Sequence, residues 1–128
     1  MRKPRHFKPS IDRALSWQSQ AEQYPEWGPP GIGYHPGLVP GVTVVDCLLY
    51  RDDKGYVIGI LNYFSDDVPP YERAGNVNIF VHPDHRRKGI ATALWREAER
   101  RWHVTLDTQR FTRAGAKLAE AISKEDYP

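Results

Sequence analysis

The sequence is short of cysteine, of net charge and of long apolar runs, and each lack excludes something. Cys47 is the only cysteine, so no disulfide can form within the chain, and nothing points to an oxidising compartment. It lies inside the apolar run VTVVDCLLY, where a thiol serves as a small buried hydrophobe. No apolar run approaches the roughly 20 residues that cross a bilayer. The basic start, MRKPRHFKPS, is not followed by the apolar stretch of a secretory signal. These absences predict a soluble, cytoplasmic protein with no membrane association. The net charge of +2 is too small to argue for a polyanionic partner. Locally, Arg2, Lys3, Arg5 and Lys8 form a basic arm without an acidic residue, read as a solvated, frayed end.

The 128 residues suit one domain. Seven of the eleven prolines fall within residues 1–40, which sets that segment apart from the rest. There SIDRALSWQSQAEQ predicts a short helix, with Ser10 as N-cap and Leu15 and Trp17 facing inward. YPEWGPPGIGYHPGLVPG predicts an ordered loop. Trp27 and Tyr34 imply that this loop packs on something, because disordered segments are poor in aromatics. Residues 1–40 are therefore expected as a helix and Pro/Gly-rich segment packed on a core formed by residues 41–128.

From residue 41 the pattern becomes regular. GVTVVDCLLYR and YVIGILNYFS read as strands joined by the turn DDKG. NVNIFVH is a third strand, stopped by Pro83. KGIATALWREAERRW carries apolar residues at Ile90, Ala91, Leu94, Trp95, Ala98 and Trp102, a helical period. HVTLDT predicts a fourth strand, and FTRAGAKLAEAI a second helix with Thr112 as N-cap. The order β-β-β-α-β-α predicts an α/β fold.

Between the third strand and the first long helix lies HPDHRRKGIAT. The first N–H groups of a helix have no intrahelical partner and carry positive dipole charge. A loop of free amides at such a start is an anion site. Gly89 removes a Cβ that would hold a ligand off the backbone, and Thr92 adds a hydroxyl donor. Arg86, Arg87 and Lys88 supply attraction for phosphate. The spacing is neither that of a P-loop nor the G-x-G-x-x-G dinucleotide fingerprint. The pieces point to a phosphate-bearing ligand.

VHPDHRRKGIATAL resembles the acyl-CoA motif of the GCN5-related N-acetyltransferase (GNAT) superfamily, in small bacterial or phage form. The motif, Arg or Gln followed by two residues, Gly, one residue and Gly or Ala, corresponds to Arg86-Arg87-Lys88-Gly89-Ile90-Ala91. The preceding Val-x-Pro corresponds to Val81-His82-Pro83. The resemblance covers about residues 41–107. It implies a mixed, mostly antiparallel sheet flanked by helices, with a shortened C-terminus. It also implies acetyl-CoA as co-substrate and no metal. The diphosphate would rest on Arg86, Arg87, Lys88, Gly89, Ile90, Ala91 and Thr92, and the pantetheine along Ile79, Phe80 and Val81. A backbone N–H near Val81 would polarise the thioester carbonyl. An amine-bearing small molecule or a protein acceptor would attack directly, its proton passing to a base.

Asn76 and Asn78 stand where several family members carry a carboxylate base, and the final helix lacks their tyrosine acid. Glu72, Asp46 and His82 are the candidate bases, and Tyr127 the candidate acid. Homodimerisation is a further expectation, since the acceptor side looks incomplete. Two other readings stand beside this one. One is an acyl-CoA-binding module without catalysis. The other is a nucleic-acid-associated protein using Arg96, Arg100, Arg101 and the basic arm. Glu97 and Glu99 interrupt that helical face and favour a salt-bridged surface instead. Zinc at His82 and His85, with Asp84 between, is disfavoured, because Pro83 makes the segment non-helical and no Cys or third His lies nearby.

Overall fold

The computed structural model describes residues 4–9, 18–38, 44–67 and 74–105. Four strands form one antiparallel sheet in the order β1-β2-β3-β4: β1 is Gly31–Pro36, β2 Val45–Arg51, β3 Val57–Phe64 and β4 Val77–Val81. One helix, α1 (Ile90–Trp102), covers one face of the sheet. This is the α/β architecture the sequence predicts.

Strands β2 and β3 are the centre of the sheet, and their composition explains it. Val45, Cys47, Leu48, Leu49, Val57, Ile60 and Leu61 are all fully buried. Central strands are covered on both faces, so apolar residues occupy both alternations. On the α1 face, Leu48, Ile58 and Leu61 meet Ile90, Leu94, Trp95 and Ala98. On the opposite face, Cys47, Leu49, Val57 and Ile60 meet Phe7, Ala21, Tyr24 and Leu38. Each large apolar side chain so buried is worth about 1.5–3 kcal/mol relative to exposure.

Several readings of the first 40 residues are corrected. Gly31–Pro36, read as loop, is strand β1, paired with β2 from Gly31↔Arg51 to Pro36↔Asp46. Its glycines and proline argue against a strand in isolation, but an edge strand tolerates both. The sheet thus crosses the boundary expected at residue 40. The segment does pack on the core: Tyr34, 42 % exposed, lies against Trp102, and Trp27, 69 % exposed, bridges to Tyr56. Of the predicted helix, Gln18–Glu22 is a 3-10 turn, and residues 10–17 lie outside the described residues. The arm is not frayed at residues 4–9: Phe7 is fully buried and its N–H donates to the carbonyl of Val57 at 2.8 Å.

A buried amide pair ties the 3-10 turn to the sheet. Gln20 Nε2 donates to Asn62 Oδ1, and Asn62 Nδ2 donates back to Gln20 Oε1 at 3.0 Å. Both residues are almost wholly buried, so the reciprocal bonds remove a desolvation penalty neither could bear alone.

At the far end, His103 caps α1 in left-handed conformation and residues 103–105 are not strand. The remainder of the predicted fourth strand and the predicted second helix lie outside the described residues. The cations of α1 are paired: Arg96 with Glu99 at 2.7 Å, and Arg100 and Arg101 with Glu97. That leaves the face salt-bridged, as the interrupting glutamates suggest. Among the described residues no helix is long and apolar enough to cross a membrane.

Candidate functional site

The site is built where β4 hands over to α1. Among the described residues β4 is an edge strand. Its alternation is fixed by two bonds to β3: the His82 N–H donates to the carbonyl of Ile58 at 2.9 Å, and the Asn76 carbonyl accepts from Phe64 N–H at 3.0 Å. Antiparallel residues alternate in direction. Phe80, opposite Ile60, therefore turns its main chain inward. Ile79 and Val81 turn theirs to the outer edge, while their side chains pack on the α1 face. Of the three residues expected to line an extended ligand, only these two offer main-chain groups to it. The Val81 carbonyl already accepts from Arg86 Nε at 3.2 Å.

After β4 the chain makes a short 3-10 turn, Pro83–His85, and then an exposed loop, Arg86 to Gly89. Arg87 (φ 65°) and Gly89 (φ 79°) both adopt left-handed backbone. Left-handed residues are a recurring ingredient of the main-chain nests that bind anions. Gly89 is the N-cap of α1 and supplies no side-chain cap. The amides of Ile90, Ala91 and Thr92 precede the first intrahelical bond, Ala93 N–H to the carbonyl of Gly89 at 2.9 Å. They remain donors at the positive end of the helix dipole. A Cβ at Gly89 would meet nothing within 4 Å, so the glycine is required by its φ rather than by crowding. Arg86, Arg87 and Lys88 are exposed cations of this loop.

Depth is set from below. A Cβ on Gly59 would lie 2.7 Å from Ile90 Cγ2 and 3.1 Å from Leu94 Cδ1. The first turn of α1 thus rests on bare β3 backbone. Sequence reading missed Gly59, although an isolated glycine inside a strand is a known sign of close approach.

Of the candidate catalytic residues, His82 and Asp46 are among the described residues. His82 is buried; its Nδ1 accepts the Asp84 N–H at 3.2 Å, and its ring packs edge-on against Phe7. With Nδ1 accepting, the neutral ring carries its proton on Nε2. His85, also buried, donates from Nε2 to the carbonyl of Arg5 at 2.6 Å. Asp46 accepts from Tyr34 Oη at 2.9 Å; this bond, burial and the Asp46 charge push the Tyr34 phenol above its ordinary value. Asp46 sits two strands from β4, a main-chain separation of about 9.5 Å. Glu72 and Tyr127 lie outside the described residues. Among the described residues no cluster of three His, Cys, Asp or Glu could hold a metal ion.

An edge strand, a loop with two left-handed residues and a helix start follow one another in this order. The profile of the acetyltransferase (GNAT) family matches residues 12–117, and the chain belongs to that family. Its members in general transfer acyl groups from acetyl-CoA to amine acceptors. No curated protein and no solved structure matches the chain.

Proposed function

We propose that this chain is an N-acetyltransferase that moves the acetyl group of acetyl-CoA to an amine by direct attack. The observation that carries the reading is the pairing of left-handed Gly89 with an edge strand. Together they present amide donors around a helix start and the outward main chain of Ile79 and Val81. The residues fit the co-substrate. The loop from Arg86 to Thr92 offers amides and cations to a diphosphate, and Ile79 and Val81 offer strand-like bonds to the pantetheine arm.

Acetyl-CoA supplies an activated thioester. The outward N–H groups of Ile79 and Val81 are the donors available to its carbonyl oxygen, where negative charge grows during attack. The amine nitrogen bonds to the carbonyl carbon, the C–S bond breaks, and the thiolate leaves and takes a proton. The attacking ammonium must first lose one. The capping bond at His82 Nδ1 leaves its Nε2 protonated, which favours Glu72 over His82 as base. Tyr127 is the proposed acid. The acceptor is an amine-bearing small molecule or protein.

The test is release of free thiol from acetyl-CoA with a panel of amines, alongside calorimetric titration with CoA. Saturable thiol release that depends on an amine supports the proposal. Binding without turnover would instead leave an acyl-CoA-binding module. Absence of CoA binding would overturn the reading altogether.

A further inference from the structure

Three contacts between residues about 80 apart in sequence converge on the loop that follows β4. The Arg5 N–H donates to Asp84 Oδ2 at 2.9 Å, Arg5 Nε approaches the same oxygen at 3.3 Å, and His85 Nε2 donates to the Arg5 carbonyl at 2.6 Å. Two residues on, Phe7 is fully buried, bonded to β3 through its N–H, and packed edge-on against His82. The chain at Arg5 and Phe7 therefore runs across His82, Asp84 and His85 and is stitched to each.

Beyond that turn, the loop from Arg86 to Gly89 is exposed and holds two left-handed residues. Its described bonds to the rest of the chain are few: Arg86 N–H to the Pro83 carbonyl at 3.5 Å, Arg86 Nε to the Val81 carbonyl, and Ala93 N–H to the Gly89 carbonyl at 2.9 Å. A left-handed non-glycine residue such as Arg87 costs about 1–2 kcal/mol, and it persists only where surrounding structure holds it. The firm contacts are those at Asp84 and His85. We infer that the N-terminal segment from Arg5 to Phe7 is a strap that holds the acyl-CoA phosphate loop in its anion-binding shape. Asp84 and His85 are then positioning residues for diphosphate binding. The inference rests on the acetyltransferase reading for its ligand, but not for the strap itself.

Asp84→Ala separates this idea from simple electrostatics, because the two predict opposite signs. Removing a carboxylate beside a diphosphate site should tighten binding by charge alone; losing the strap should weaken it. The strap predicts a KM for acetyl-CoA raised about tenfold, the loss expected of one charge-assisted contact. It leaves turnover of S-acetyl-pantetheine, which lacks the diphosphate, within about twofold of wild type. Arg5→Ala keeps both main-chain contacts and should do less. Equal loss with both acyl donors, tighter acetyl-CoA binding, or a larger effect from Arg5→Ala would overturn the inference.

Limited trypsin digestion tests the strap without any ligand. Cleavage after Arg86, Arg87 or Lys88 should be several-fold faster in Asp84→Ala than in wild type, while cleavage after exposed Lys54 stays constant as internal reference. Equal loop cleavage in the two proteins would refute the strap even if acetyl-CoA binds. Faster cleavage in a protein that ignores CoA would keep the strap and sink the enzymatic reading.

Discussion

Gly59 and Ile90 meet with no room for a side chain between them: a Cβ on Gly59 would fall 2.7 Å from Ile90 Cγ2. Ile90 opens α1, and the amides at that opening form the proposed anion site. Gly59→Val would push the helix start off the sheet. The expected cost is about 1–3 kcal/mol, as for overpacking elsewhere, with weaker CoA binding on top. Thermal unfolding and calorimetry read both, and a fully stable variant with native affinity would show that β3 does not set the helix depth.

Gly89 separates conformation from charge. At φ 79° any L-residue is strained, so Gly89→Ala should lose about 1 kcal/mol of stability and bind CoA moderately less well. Open space around the Cβ gives no clash to add. Gly89→Glu puts a carboxylate at the helix start and should abolish measurable CoA binding. Comparable affinities for the two variants would place the diphosphate elsewhere.

How much of this was legible beforehand follows from range. Strands β2 to β4 and α1 show in the sequence because period and burial agree along each of them. β1 does not, since Gly31, Gly33 and Pro36 carry poor strand propensity, and pairing with β2 overrides it. His82 reads in the sequence as a candidate base, and His85 as part of a solvated turn in which zinc is disfavoured. The cap bond from Asp84 N–H to His82 is local, but the packing of His82 on Phe7 and the bond of His85 to Arg5 involve residues distant in sequence. The expectation of a phosphate loop rests on local chemistry: amides, a glycine and a helix start within a few residues. An acceptor pocket is assembled from remote segments and leaves no such signature.

The Gln20–Asn62 pair should behave as a unit. Gln20→Ala strands the Asn62 amide in the core and should cost about 1–3 kcal/mol. Replacing both by leucine removes the polar demand and should recover much of that loss. Urea denaturation of the two single variants and the double gives the coupling. Strict additivity would mean that the amides do not depend on each other.

Acid should weaken α1 slightly. Hydrogen bonds from Arg100 and then Arg101, with their charges, hold the Glu97 carboxyl below its ordinary value of 4.5. A depressed native value means that this stabilisation is present above about pH 4.5 and fades as pH falls through the native value. These side chains are partly exposed, so water screens them and the contribution stays under about 1 kcal/mol. Glu97→Gln should be less stable than wild type at neutral pH, and the gap should close in acid. A gap that widens in acid would reverse the assignment.

Cys47 bears on the proposed direct attack, because a cysteine acyl-enzyme would need its thiol. It is the only thiol, it is fully buried on β2 between Gln20 and the apolar face of the sheet, and burial pushes its thiol far above the ordinary value. A protonated, inaccessible thiol cannot accept an acetyl group. Cys47→Ser, which keeps an acceptor for Gln20 Nε2, should therefore retain turnover with at most a modest loss of stability. Initial-rate patterns should be sequential rather than ping-pong. Mass spectrometry of the protein quenched with acetyl-CoA alone should show no mass gain at Cys47, and iodoacetamide should label it only under unfolding conditions. An acetylated Cys47 in the native enzyme would require an opening of β2 that this packing does not provide, and it would replace direct attack with a two-step transfer.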